Sequence, residues 1–251
     1  MSERLADIGV RIDGVRQLDA VVNAMRGIVA VRVQQAREQI LAVDGYTTTL
    51  TAAMGRIIDQ IAGETEPPSK TGACSALIVF CAEQGFAGTF CERVLDTITN
   101  DVGKAEIFLV GSRGRSIAAE RDISLAWTSA LPAHSPSIPQ LANRIRETIF
   151  ARINAGEIDR LDVVFSTWKE NAAHIVRRTL FPIDLSAVAP SAQLQPPLAN
   201  LPPSTLLEII GEDYVHALLC NAALHSFVTK TKRGSRPWRS PAVRSKASWR
   251  S

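Results

Sequence analysis

Few residues of this 251-residue chain stand at spacings that chemistry requires. Gly111-Ser112-Arg113-Gly114 follows the apolar run Ile107–Val110, where a phosphate loop would sit between a strand and a helix. It has neither a GxGxxG nor a GxxxxGK[ST] pattern, so it reads as a plain turn rather than a nucleotide cradle. His134, His174, His216 and His225 are scattered. None has a second histidine at i+4 or a Cys/Asp ligand set beside it, which argues against a metal centre. Ser166 and Ser226 lie in no GxSxG setting. Asp159 and Asp162 flank an apolar stretch as solubilising charges. Cys74, Cys81, Cys91 and Cys220 form no CxxC pair and read as buried free thiols. The spacings thus supply no nucleophile, no general base, no metal site and no cofactor site.

Basicity is confined to one end. Residues 228–251 hold eight Lys and Arg residues and no acid, whereas the rest of the chain carries a net charge of −5. A basic surface over the whole protein is therefore not expected. Trp238 and Trp249 among those bases could stack on single-stranded nucleic acid or settle at an anionic surface. That is one alternative function, an adaptor acting through its tail. A second is a standalone α/β enzyme, which would need a ligand-binding turn.

The elements begin with one very long amphipathic helix. Leu5, Ile8, Ile12, Val15, Leu18, Val22, Met25, Val29, Val33, Ala36, Ile40 and Val43 step by three and four residues, with Arg11, Arg16, Arg26, Arg32, Gln35, Arg37, Glu38 and Gln39 between them. This is the seam of a coiled coil. No proline precedes Pro67. Some 55 helical residues would span about 80 Å, too long to bury in one small domain, so a partner helix is required. After the break Gly63–Gly72, the runs Ala76–Phe80, Ile107–Val110 and Leu161–Ser166 read as strands buried on both faces, with Ile175–Leu180 a fourth. Helical text at 92–102 and 138–154 alternates with them, giving an α/β layer with a mainly parallel sheet. Gln84–Phe90 is a glycine turn, and residues 186–203 read as a loop. Ser204 is the expected N-cap of a second amphipathic helix along Leu207, Ile210, Tyr214, Leu218, Ala222 and Phe227. From Val228 onward glycine, prolines and serines are expected to break it.

No apolar run approaches the roughly 18 residues of a membrane span, and the charged start lacks a secretory signal. A cytosolic protein, or one held peripherally by a larger machine, is the expectation.

Over residues 1–227 the chain resembles the gamma subunit of F-type rotary ATP synthases. Ile8, Arg11-Ile12, Val15, Ala24-Met25 and Ala30 resemble the IxxRIxSV and KAM…AA text of that family's first helix. Residues 78–90, IVFCAEQGFAGTF, resemble its DrGLCGgfN turn, and Val110–Gly114 its VGxKG turn. Asp159–Ser166, Leu180–Pro182 and Leu201–Phe227 resemble its later strand, its LFP-like end and its entry to the C-terminal helix. Glu83 and Gln84 replace the family's Asp and Arg, Ala87 its Cys, Thr89 a glycine, and Asn23 a lysine of the first helix. The family's SExxARMxAM stretch is missing after Phe227. Synonymous codons for Thr229–Trp249 allow the neighbouring frame to read DQNEARIAAMAVARSQIEGKL, which carries that signature. The C-terminal end is therefore read as out of frame, by a frameshift near Phe227.

The resemblance implies an antiparallel coiled coil of the N- and C-terminal segments on a central Rossmann-like α/β domain. The boundaries would be a coiled-coil helix at 1–62, the α/β domain at 73–185, the start of the returning helix at 204–227, and an aberrant, disordered tail at 228–251. It implies a non-catalytic central-stalk rotor without cofactors, coupling ion translocation to ATP synthesis and hydrolysis. The implied partners are the catalytic and non-catalytic nucleotide-binding subunits of the ring, the small rotor subunit and the membrane rotor ring, with no nucleic acid. The implied place is peripheral, at the cytoplasmic face of a bacterial inner membrane. Arg11, Met25, Arg26, Arg32, Arg37 and Gln84 are then candidate partner contacts, the arginines toward acidic loops of the ring. With the tail as written, the first helix would lose much of its partner and the isolated chain would be poorly soluble.

Overall fold

The computed structural model describes residues 2–61, 74–83, 90–183 and 199–234, with side chains from Asp13 to Ile58 in the first segment. The break at 63–72, most of the turn at 84–90, most of the loop at 186–203 and residues 235–251 lie outside the described residues.

Helix α1 (Ser2–Ile61) is continuous over 60 residues, about 90 Å at 1.5 Å per residue. Its weakest helical text is the threonine-rich 47–51. There Thr47, Thr48, Thr49 and Thr51 each return the hydroxyl to the carbonyl four residues back, at 2.8–3.1 Å. That bond satisfies the hydroxyls without leaving the helix.

Five strands follow: β1 (Cys74–Phe80), β2 (Ala105–Val110), β3 (Trp127–Ser129), β4 (Ile158–Lys169) and β5 (Ala172–Phe181). They form one sheet in the order β3-β2-β1-β4-β5. The first four are mutually parallel, and β5 returns antiparallel to β4 through a two-residue turn. Glu170 and Asn171 hold that turn with positive φ, the geometry of a tight hairpin. Alternation along each strand divides the core. Ala76, Ile78, Phe80, Phe108, Val163 and Phe165 face α4 (Ile138–Asn154), α5 (Pro203–Gly234) and the middle of α1. Leu77, Val79, Ile107, Leu109 and Val164 face α2 (Phe90–Asp96) and α3 (Ser112–Glu120). The central unit is thus a three-layer α/β/α body.

The second long helix differs from expectation at both ends. It begins at Pro203, whose fixed φ and missing N–H suit the first helical turn, so Ser204 is inside the helix and is not its cap. It runs to Gly234, seven residues past Phe227. The physical reason is plain in the text: VTKTKR contains no glycine or proline, and β-branched residues lower helix propensity only slightly. Val228 and Thr229 are buried.

Candidate functional site

Helices α1 and α5 pack along one seam. Their contacts run in opposite directions: Tyr46 faces Asp213, Asp44 faces Asn221, and Arg37 faces Lys232. The pair is therefore antiparallel. Val33, Ala36, Ile40, Leu50, Met54 and Ile57 of α1 are buried, as are Leu219, Ala222, Ala223 and Phe227 of α5. Toward its N-terminus the α1 stripe emerges: Val15 is 65% exposed, Leu18 66% and Met25 47%. One periodic stripe is thus core at one end and bare surface at the other.

Where the stripe emerges, Arg26, Arg37 and Lys232 rim a groove of about 440 Å³ floored by Val29, Ala30 and Val33, with Gln34 at its side. Lys232 lies 5.4 Å over the Trp168 ring. Burial, and then the Arg37 charge, lower its ammonium from the ordinary lysine value. Lys230 is lowered by burial too, with Glu83 opposing and Arg32 reinforcing the shift. Of the residues singled out from sequence, Arg26 and Arg37 share this groove. Arg32 is half-buried beside Lys230, and Met25 is 47% exposed on the bare stripe. The Arg11 side chain and the whole of Gln84 lie outside the described residues. Lys230 and Lys232 escaped sequence reasoning because the helix was expected to stop at Phe227. A seam read through to Gly234 would have set them opposite Arg32 and Arg37.

The carboxyl ends of β1 and β4 are where a parallel sheet of this order binds ligands. Here α5 occupies that crevice. The Ser166 amide donates to Ser226 Oγ at 3.3 Å, and Thr229 Oγ1 shares its proton between the His225 carbonyl at 2.9 Å and the Ser166 carbonyl at 3.2 Å. Arg233 lies 5.1 Å over the Phe90 ring. Gly111 and the first turn of α3 that it caps also serve packing. Gly111 has φ +114°, and a Cβ there would stand 2.6 Å from the Cys81 carbonyl oxygen. A Cβ on Gly114 would meet the Cys81 Cβ at 2.4 Å. The Ser112 N–H, which a phosphate loop would aim at its ligand, donates instead to the Glu83 carboxylate at 3.1 Å. Leu131 N–H donates to the same oxygen at 2.9 Å, and Ser112 Oγ donates to the Glu83 carbonyl at 2.6 Å. Burial disfavours the Glu83 charge, yet these donors and Lys230 hold its carboxyl below the ordinary value. Glu83 is therefore a clasp joining β1, α3 and the start of the 131–137 segment.

A family model described as ATP synthase matches residues 4–233. The chain is 24% identical over 194 residues to the ATP synthase gamma chain of Chlorobium luteolum, covering 71% of this chain and 66% of the relative. It is 23% identical over 185 residues to the gamma chain of Synechocystis sp., covering 69% and 59%. In both alignments the chain spans less than two thirds of the relative's length. A central-stalk chain from the Tetrahymena thermophila mitochondrial ATP synthase shares the fold, with a TM-score of 0.61 and 13% identity over 87% of this chain and 97% of that one.

Proposed function

The chain belongs to the ATP synthase family, and from that premise we propose that it is a gamma-type rotor subunit, non-catalytic itself, that couples ion translocation to nucleotide chemistry in partner subunits. The observation carrying this reading is the antiparallel α1–α5 pair, rooted in the α/β body, whose apolar stripe is bare between Val15 and Met25. We take the pair to be a coiled coil. Two helices locked by a seam resist bending and twisting better than one, which is what a torque-bearing shaft requires. The bare stripe enters a ring of nucleotide-binding subunits. The asymmetric shaft then biases each catalytic site by contacting its conformers unequally.

Arg26, Arg32 and Arg37 meet acidic loops of that ring, with Arg11, Met25 and Gln84 as further contacts. The α/β body faces the small rotor subunit and the membrane rotor ring. Among the described residues no helix is long and apolar enough to cross a membrane, which fits attachment through the complex at a membrane's cytoplasmic face. The out-of-frame reading of residues 228–251 belongs to the same proposal. Coding DNA from the Cys220 codon onward tests it, since a closed neighbouring frame removes it.

The functional test is reconstitution with the ring subunits of the same synthase. Co-purification and a change in ATP hydrolysis on adding the chain are expected, both weakened at raised salt in Arg26→Glu/Arg37→Glu. A ring that hydrolyses ATP identically with and without the chain, and does not retain it, overturns the proposal.

A further inference from the structure

Two of the four cysteines are neighbours in space. Cys81 is the first residue past β1, and Cys91 is the second residue of α2. The Cys81 thiol hydrogen-bonds to the Cys91 sulfur, and the Ala82 N–H donates to the same sulfur at 3.3 Å. Both residues are buried, and both are free thiols. Gly114 of α3 packs closely against Cys81, since a Cβ there would come within 2.8 Å of Cys81 Sγ. Cys220 lies in the cluster on the opposite face of the sheet, and Cys74 is exposed at the start of β1. Neither competes for the pair.

We propose that Cys81 and Cys91 form a redox-active dithiol that a peroxide converts to an intramolecular disulfide. Cys91 is the attacking sulfur. The bond from Cys81, then the Ala82 amide and the charges of Arg113 and Arg233, lower its thiol pKa against the opposing effect of burial. Its thiolate attacks one peroxide oxygen and the O–O bond breaks. The sulfur is oxidised to sulfenic acid, and the departing hydroxide takes a proton to become water. Cys81 then loses its proton and attacks the sulfenic sulfur. The S–S bond forms as the S–O bond breaks, releasing a second water. Two thiols and one hydrogen peroxide thus give one disulfide and two waters. Both sulfurs are buried, so reagent enters by local opening and a small oxidant is favoured.

The bridge would tie the exit of β1 to the start of α2 across residues 82–90. That segment carries Glu83, which faces Lys230, and Phe90, which lies under Arg233. The last turns of α5 therefore meet two residues, Glu83 and Phe90, that stand beside the bridged positions.

The test is thiol mapping on the full chain. Protein is titrated with hydrogen peroxide, quenched with N-ethylmaleimide, digested and weighed. The expected product is a Cys81–Cys91 cross-linked peptide two hydrogens lighter than its reduced parts, reversed by dithiothreitol. In Cys81→Ser the cross-link is lost and Cys91 proceeds to sulfinic acid. Wild-type mapping stands alone if a variant fails to fold. The proposal is overturned if Cys81 and Cys91 stay alkylatable after Cys74 is fully oxidised, or if wild-type Cys91 reaches sulfinic acid without a cross-link.

Discussion

Asn221, 5% exposed on the inner face of α5, donates its amide to the Asp44 carboxylate of α1 at 2.6 Å. The bond joins residues 177 positions apart, in a seam lined mainly by apolar side chains, with Tyr46 and Asp213 a second polar pair along it. An apolar seam tolerates slippage by a turn, whereas one polar pair is satisfied in a single register. Asn221→Ala should cost about 1.5–3 kcal/mol, the range for a hydrogen bond to a charged group. A double-mutant cycle with Asp44→Ala, read by denaturant unfolding, should return a coupling of about 1 kcal/mol or more. Additive costs would show that the register is set elsewhere.

The clasp at Glu83 predicts a pH dependence with a definite sign. Its carboxyl is held below the ordinary glutamate value of 4.5 in the fold. The unfolded chain therefore takes up the proton first as pH falls. The stabilisation is complete above about pH 4.5 and is lost as pH drops through the lower folded value. Glu83→Gln should remove part of this acid sensitivity and lower stability at neutral pH. Melting temperatures from pH 3 to 7 for both proteins decide it: parallel curves would mean that Glu83 does not titrate in this window.

Gly111 and Gly114 separate two kinds of constraint. Gly111→Ala meets backbone at Cys81 and Ala82 and must also hold φ at +114°, so no side-chain change should rescue it. Gly114→Ala meets the Cys81 side chain, so Cys81→Gly should restore part of the loss. Each single alanine should cost about 1–3 kcal/mol or more, the range for overpacking. Thermal unfolding of the two singles and the Cys81→Gly/Gly114→Ala double checks this. Absence of rescue at Gly114 would place the strain in the backbone there too.

These cases mark what a single sequence can carry. The 60-residue helix and the strands β1, β2 and β4 were legible because long seams and uninterrupted apolar runs have few alternatives. The exposed end of the α1 stripe was legible only as a stripe. Which half of it is covered depends on how far α5 runs, and the seven residues from Val228 to Gly234 were discounted for breakers that begin only at Gly234. Glu83 was noted as a departure from the family turn, but its role was not. Its partners are the backbone amides of Ser112 and Leu131, 29 and 48 residues away, and backbone donors have no sequence signature. Gly111-Ser112-Arg113-Gly114 reads as a plain turn in the sequence, whereas Ser112–Gly114 open α3; the close approach of both glycines to Cys81 is a long-range contact with no local signature.

Asp162 is 2% exposed on β4 and is held by Arg177 at 2.7 Å and Thr179 at 2.8 Å from β5. Arg177 also reaches Asp101 at 2.8 Å, pinning the edge strand to the turn after α2. Burial disfavours the Asp162 charge, but these partners and Arg160 hold its carboxyl below the ordinary value. Arg177→Ala leaves a buried carboxylate with weaker partners. It should cost about 1–3 kcal/mol, less than a fully buried pair because Arg177 is 46% exposed. Amide exchange should rise first along β5. Exchange that rises uniformly would mean that β5 unfolds only with the whole body.

The bare stripe of α1 gives the prediction that joins fold to function. Leu18 and Met25 are 66% and 47% exposed, so replacing them removes little burial within the chain. Leu18→Lys/Met25→Lys should leave the unfolding free energy within about 0.5 kcal/mol, as for ordinary surface substitutions. The same change breaks a contiguous apolar strip, and such strips drive association when nothing covers them. Light scattering of the isolated chain should therefore fall in the variant. In reconstitution with ring subunits the variant should bind less, because the strip is the surface offered to the ring. Unchanged scattering together with unchanged ring binding would mean that neither self-association nor docking uses this face.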